Sequence, residues 1–354
     1  MENFAQAAPT GARMKTIKCV VWDLDHTLWS GILLEDGDSV RLRPSVVETI
    51  AELDRRGILH SIASRNDFDT TMAKLTELGV AQYFLYPQIG WDAKSASVAK
   101  IAKLLNIGID SLAFVDDQPF EREEVAFAHP DVLCIDALDA GEIATRAEFQ
   151  PKYVTEDSAA RRAMYIASID RTKAEDEFTG NNEEFLSTLG MEFKISRARR
   201  KDLGRAEELV VRTNQLNSTG VMYSEDELAQ RCDSDRHLLL MAELTDVYGS
   251  YGQIGLASVA LEEREWKLEL LLMSCRVMSR GVGTVLLNHV VGLAQGNGAR
   301  LVAAFVPTGR NRIMYVTYRF AGFEDLGEKD GVSLLVAPLT APPKPPAYLN
   351  VITD

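Results

Sequence analysis

From Lys18 onward, short apolar runs alternate with stretches of helical period. IKCVVWDL, ILHSIAS, AQYFLYPQIG, SLAFVDD and DVLCIDA read as strands. SVVETIAELDRRG, which ends at Gly57, reads as an amphipathic helix, as do FDTTMAKLTELG and SASVAKIAKLLNIG. Strands alternating with helices of this length predict an α/β unit, a parallel sheet covered on both faces. Ligands in such sheets bind outside the carboxyl ends of the strands. Asp23, Ser64 and Asp116 fall at the ends of three separate strands.

Between residues 150 and 190 the pattern turns polar and helical (EDSAARRAMYIASIDRTKAEDEF). A second α/β unit follows. MEFKISRA, HLLLMAELTD, QIGLASVALEE, EWKLELLLMSCRV and ARLVAAFVP read as strands, and KDLGRAEELVVRTN, GTVLLNHVVGLAQGNG and RNRIMYVTYRFAGF as helices. HLLLMAELTD and QIGLASVALEE look like antiparallel neighbours joined by VYGSYG, and the long strand is expected to run through Ser-Cys-Arg. The boundaries are a mobile lead over 1–14, a first domain over 15–150, a helical linker over 151–185, a second domain over 186–340 and a proline-rich tail over 341–354. No internal repeat is present.

Composition narrows the class. The 354 residues suffice for two domains, and 46% hydrophobic with 25% charged residues is the balance of a globular protein. A net charge of −14 disfavours nucleic acid and anionic membranes as partners. No apolar stretch reaches the length of a membrane span and the first residues lack a secretory core, so the expected location is cytoplasmic. Cys19, Cys134, Cys232 and Cys275 show neither a disulfide framework nor zinc spacing. Cys19 and Cys134 lie in apolar runs and read as inert core residues.

The richest chemistry lies in VVWDLDHTLWSGILLEDG. Asp23 and Asp25 stand two apart at a strand end, so both carboxylates can converge on one ligand. Mg²⁺, a hard cation with oxygen ligands, suits the gap between two such anions. One aspartate can then attack phosphorus while the other handles protons. Ser64, with Arg65 beside it in IASRND, can hold a phosphoryl oxygen; Lys94 can neutralise the transferring group; Asp116 and Asp117 can complete the metal shell. Singly, each has a plain reading as a turn, a solvated lysine or a helix cap. Their joint order on alternating strands and helices is what points to phosphoryl transfer.

This set resembles the haloacid dehalogenase superfamily over about residues 16–140, with DLDHT, Ser64, Lys94 and Asp116–Asp117 standing for its four motifs. The resemblance implies a Rossmann-like fold, Asp23 as the nucleophile that becomes aspartyl-phosphate, and Asp25 as general acid and then base. The stretch from Thr27 to Pro44 is too short for a folded cap domain, which leaves the site open.

The second unit is similar to the GNAT acyltransferase fold, in which the Gly-rich turn binds the pyrophosphate of acyl-CoA. Gly281 and Gly283 fit that turn; Met278 stands where a basic residue is expected, with Arg276 and Arg280 nearby. Cys275 lies just upstream, where the thioester end of a pantetheine arm would be. Its two arginines and the following helix could raise its thiolate fraction; a buried strand-end cysteine is the alternative.

The whole arrangement resembles the FkbH-like proteins of polyketide pathways, carried by WDLDHTLWSGILLEDG, FVDDQPFERE, RTNQLNSTG, YGSYGQIG and MSCRVMSRGVG. Ser279 and Gly283 depart from that pattern, where Gly and Glu are expected. The resemblance implies a bifunctional glyceryl transferase and phosphatase. Its substrate would be 1,3-bisphosphoglycerate, its cofactor Mg²⁺, and its partner the phosphopantetheine thiol of an acyl carrier protein, with Cys275 carrying the glyceryl thioester. The polar run Thr213, Asn214, Gln215, Asn217 and Thr219 could hold the glyceryl hydroxyls or merely turn the chain. His289 could serve Cys275 as a base or be a buried helical histidine. Arg197, Arg199, Arg200, Lys201 and Arg205 could form a basic docking face for an acidic carrier or a solvated helix start. A plain phosphatase with a partner-binding second domain, a CoA-dependent acyltransferase and a non-enzymatic scaffold are the alternatives.

Overall fold

The computed structural model describes residues 16–354 except 214 and 215; the side chains of Arg212, Cys275 and Lys329 also lie outside the described residues, as does the 1–14 lead. The chain forms two compact units that divide between Ile166 and Ala167. That point falls within the linker expected from sequence.

In the first unit, strands β1 (Cys19–Trp22), β2 (Leu59–Ser64), β3 (Gln88–Ile89), β4 (Leu112–Asp116) and β5 (Leu133–Asp136) form a sheet of order β3-β2-β1-β4-β5. Every pairing is parallel. Helices α1 (Pro44–Arg55), α2 (Phe68–Glu77), α3 (Lys94–Leu105) and α4 (Pro119–Ala128) supply the crossovers. β1 is central, and all four of its residues are buried, which is why it reads as an unbroken apolar run. Gly57 (φ 75°) ends the turn after α1; a Cβ there would lie 2.6 Å from Ser158 O, so this position must be glycine. The AQYFLYPQIG run contributes only the two residues of β3, because Ala81–Tyr83 form a 3₁₀ turn instead. Between Thr27 and Pro44 the chain makes one two-stranded hairpin, Trp29–Ser30 with Arg41–Leu42, and the one-turn helix Leu33–Asp36.

His60 on β2 is fully buried and its hydrogen bonds define its tautomer. Trp22 Nε1 donates to His60 Nδ1 at 3.0 Å, so His60 Nε2–H points to Ile50 O at 3.0 Å. Burial lowers its pKa from 6.5 to about 3. A buried neutral base contributes stability that is complete above the unfolded pKa and is lost as pH falls. The unfolding free energy from urea titration should therefore decline below pH 6.5, by about 1.4 kcal/mol per pH unit from this group. His60→Gln, which keeps a donor and an acceptor but cannot ionise, should remove that part of the slope; an unchanged slope would refute the assignment.

Helix α5 (Arg161–Glu177) carries the division between the units. In its first turns Arg161 donates to Gly57 O and Arg162 to Asp54, within the first unit. Further on, Arg171 makes a two-pronged ion pair with the buried carboxylate of Asp246, at 2.6 and 2.9 Å, within the second.

The second unit contains helices α6 (Asn182–Thr188), α7 (Leu203–Arg212), α8 (Glu225–Cys232), α9 (Val282–Gly296) and α10 (Arg312–Phe320). Its strands are β6 (Met191–Arg197), β7 (His237–Asp246), β8 (Gly249–Leu261), β9 (Glu265–Met273), β10 (Arg300–Phe305), β11 (Glu324–Lys329), β12 (Val332–Val336) and β13 (Leu349–Thr353). They form one mixed sheet of order β11-β12-β10-β9-β8-β7-β6-β13. Three features differ from the sequence reading. GSYG belongs to β8 itself, where two bulges absorb it. The last residues are not all tail, since β13 pairs in parallel with β6. β9 stops at Met273, because the Ser274 side chain accepts from Arg276 N and turns Cys275–Arg280 into a 3₁₀ helix.

β9 and β10 pair only from Glu265 to Leu268 on the β9 side. Beyond that, residues 216–218 run along β9. Ser218 N donates to Leu271 O, Leu271 N to Ser218 Oγ and Met273 N to Leu216 O, each at 3.0 Å. Ser218 O accepts from Val306 N at 3.0 Å, just past β10, and Asn311 Nδ2 donates to Asn217 O at 2.8 Å. Among the described residues no helix is long and apolar enough to cross a membrane.

Candidate active site

The carboxyl ends of β1 and β4 and the start of α3 bring Asp23, Asp116 and Lys94 together. Asp23 N donates to Val115 O at 2.9 Å, which extends the ladder and fixes its backbone. Lys94 opens α3, and its Nζ donates to Asp23 Oδ1 at 2.5 Å and to Asp116 Oδ2 at 2.6 Å. All three side chains are buried. Asp116 Oδ1 accepts from Gln118 N at 2.8 Å. Burial pushes the Asp23 carboxyl up, against the pull of Lys94 and with the push of Asp116. Burial opposes the Lys94 charge, but Asp23 and Asp116 outweigh it and raise its pKa. Burial and the neighbouring Asp116 raise Asp117.

Asp23, Asp116 and Asp117 each offer an oxygen within 4.8 Å of the others, the one such grouping among the described residues. Three hard oxygen donors suit Mg²⁺. The Asp25 carboxylate, expected from sequence among the metal ligands, does not join them. Its Oδ1 accepts from Trp29 Nε1 at 2.8 Å and Leu33 N at 3.0 Å, and its Oδ2 from Asn66 Nδ2 at 3.0 Å.

Ser64 ends β2 beside this group, and its Oγ lies 3.4 Å from Asn66 Nδ2. Arg65 is turned to Glu121, 3.2 Å away. Thr27 Oγ1, Asn66 Oδ1 and Glu121 Oε2 are buried with no hydrogen-bond partner among the described residues. Unfilled polar atoms of this kind mark where a polar ligand would restore bonding. Asn66, Trp29 and Glu121 escaped the sequence reading. Asn66 lay inside the quoted IASRND and could have been found there; Trp29 reads as core.

In the second unit Cys275 begins the 3₁₀ turn, and its side chain lies outside the described residues. Arg276 Nε donates to Ser274 Oγ at 3.3 Å. Arg280 is buried; its Nη2 donates to Glu175 Oε2 at 3.0 Å, while Nε and Nη1 have no partner among the described residues. Gly281 (φ 74°) is the N-cap of α9, and a Cβ there would lie 2.9 Å from Tyr348 Oη. Gly283 has only ordinary contact space around it. His289 is half-buried, with its pKa lowered by burial.

Asn217 is taken up by a turn: its Oδ1 accepts from Thr219 N and Gly220 N, and its Nδ2 donates to Val221 O. The Asn217 side chain thus turns the chain, and Asn214 and Gln215 lie outside the described residues. The basic docking face loses members to internal pairs. Arg205 is buried against Glu208 and Gln253 O, Arg200 pairs with Asp233, and Arg199 lies 3.6 Å from Asp202. Cys19 is fully buried, whereas Cys134 is only half-buried rather than core.

No protein-family model and no curated protein matches the chain. Among solved structures it is similar to the N-terminal part of BF1531 from Bacteroides fragilis, which contains a phosphatase domain and was crystallised with Mg. That match has 29% identity over 36% of this chain, with a TM-score of 0.32, and spans 39% of the other chain's length. A further match is the ribosomal-protein-S18-alanine N-acetyltransferase of Escherichia coli (19% identity, 42% of this chain, 94% of that chain, TM-score 0.34). Another is the PaiA N-acetyltransferase of Thermoplasma acidophilum in complex with coenzyme A (13% identity, 41% of this chain, 98% of that chain, TM-score 0.35).

Proposed function

We propose that the chain is a two-centre enzyme, a phosphatase joined to a glyceryl transferase. The observation that carries the first half is the Lys94 ammonium bridging Asp23 and Asp116, with Asp117 completing a three-carboxylate group at the strand ends. A buried lysine between two buried carboxylates fits a centre for handling a doubly charged phosphoryl group. Mg²⁺, held by Asp23, Asp116 and Asp117, would supply positive charge for the phosphoryl oxygens. Asp23 attacks phosphorus, the ester P–O bond breaks, and the leaving oxygen takes a proton from Asp25. Water, giving its proton to Asp25, then attacks the aspartyl-phosphate and frees phosphate and Asp23. The short insert between Thr27 and Pro44 leaves this centre without a cap of its own, which suits a large or tethered substrate.

The second half rests on the family resemblance and on Arg280, whose buried Nε and Nη1 await a partner beside the turn that begins at Cys275. The Cys275 thiolate attacks the acyl carbon of 1,3-bisphosphoglycerate, the C–S bond forms, and phosphate leaves without ATP. The aspartate centre removes the C3 phosphate. The pantetheine thiol of an acyl carrier protein then takes the glyceryl group, and Cys275 leaves as thiolate. Exchange of one thioester for another is near balance, so positioning governs it.

The deciding experiment is intact-mass analysis after mixing the protein with 1,3-bisphosphoglycerate and Mg²⁺. A glyceryl adduct on Cys275 that moves to a phosphopantetheinylated carrier is the expected result. Phosphate release with no adduct on any cysteine would leave only the phosphatase with a partner-binding second domain.

A further inference from the structure

We propose that Trp29 and Asn66 are positioning residues that hold Asp25 in line for proton transfer, and that the short insert after β1 serves as this clamp in place of a cap. The inference rests on the phosphatase reading above. Asp25 sits on a turn just beyond β1 and is half-buried, next to His26 at φ 55°. Left to itself, a carboxylate on such a turn would sample several rotamers. Three donors prevent this. The Trp29 indole comes from the first strand of the hairpin, the Leu33 N–H from the start of the one-turn helix, and the Asn66 carboxamide from the loop after β2. Two of the three therefore belong to the insert.

Both side chains are themselves immobilised. Trp29 is fully buried in the core of the first unit, and Asn66 is 1% exposed. Indole Nε1 can only donate, so the Trp29–Asp25 bond has one sense, with Asp25 Oδ1 accepting. Asn66 Nδ2 donates to Asp25 Oδ2. Asp23 and Asp25 thus stand in different company. Asp23 is bridged by the Lys94 cation, whereas Asp25 is gripped by neutral donors.

A general acid matters in proportion to how badly the leaving oxygen needs a proton. The test is single-turnover formation of phosphoenzyme by rapid mixing, with Mg²⁺, using 3-phosphoglycerate and p-nitrophenyl phosphate. The first leaves as a strongly basic alkoxide, the second as a weakly basic nitrophenolate. For Trp29→Phe, phosphorylation by 3-phosphoglycerate should slow by about 100-fold, while phosphorylation by p-nitrophenyl phosphate changes by less than about threefold. Trp29→Phe leaves Asn66 and Ser64 untouched, and its retained reaction with p-nitrophenyl phosphate reports that the variant is folded. Equal slowing with both substrates, or no slowing with either, would overturn the inference while the phosphatase reading stands. A wild-type protein that forms no phosphoenzyme with either substrate overturns both.

Discussion

Replacing Asp23 with Asn should abolish phosphate release from a phosphomonoester, by roughly 10⁴-fold or more, in a protein that remains folded. The two side chains have the same shape, and the Asn oxygen can still accept from Lys94, so the buried Lys94–Asp116 pair keeps its surroundings. A carboxamide cannot attack phosphorus, however, and the metal group of Asp23, Asp116 and Asp117 falls to two carboxylates. Both losses act on the chemical step. Phosphate assay and intact mass report them separately, because the variant should also form no phosphoenzyme. If the acyl carbon is captured first, the variant should accumulate a phosphoglyceryl adduct on Cys275, which would order the two chemistries. Residual turnover within tenfold of wild type would remove Asp23 from its role.

The second large effect is expected at Cys275. Cys275→Ser should reduce glyceryl transfer to the carrier by about 10³-fold, since a neutral hydroxyl is a far weaker nucleophile than a thiolate. Phosphate release from a simple phosphomonoester should stay within about threefold, because Asp23, Lys94, Asp116 and Asp117 all belong to the first unit. The paired measurement is radiolabelled carrier for acyl transfer and free phosphate for hydrolysis. Intact transfer in the serine variant would move the acyl site elsewhere; loss of both activities would contradict two separable centres.

The first unit was largely legible because its strands are covered on both faces. Each therefore appears as an apolar run closed by a chemistry-bearing residue, as Trp22 is followed by Asp23 and Ala63 by Ser64. Asp23, Ser64 and the Asp116–Asp117 pair could be located from that pattern, and Lys94 from its place before a helix. The Trp29 contact with Asp25 could not. Trp29 has the profile of a core residue, and only the tertiary structure shows its indole N–H reaching a carboxylate. In the second unit, hydrophobic period carried the reading of β9 too far, because Ser274 stops the strand through a local hydrogen bond that leaves no trace in polarity. β13 was hidden behind APPKPPAY, and its partner β6 lies far upstream. Asn217 showed the opposite limit. Its residue type suited either a substrate contact or a turn, and the choice was made by the backbone N–H groups it accepts from.

If Cys275 exchanges acyl groups as proposed, the closing residues of β9 bear on which thioesters would reach it. A coenzyme arm laid along Leu271–Met273 would find their backbone groups already engaged by Ser218 and Leu216. Those rivals are tethered to the same polypeptide, which fixes their local concentration at about millimolar or above. A freely diffusing coenzyme has to outcompete them from dilute solution. An arm delivered by a docked protein brings its own high local concentration, and so starts the contest on even terms.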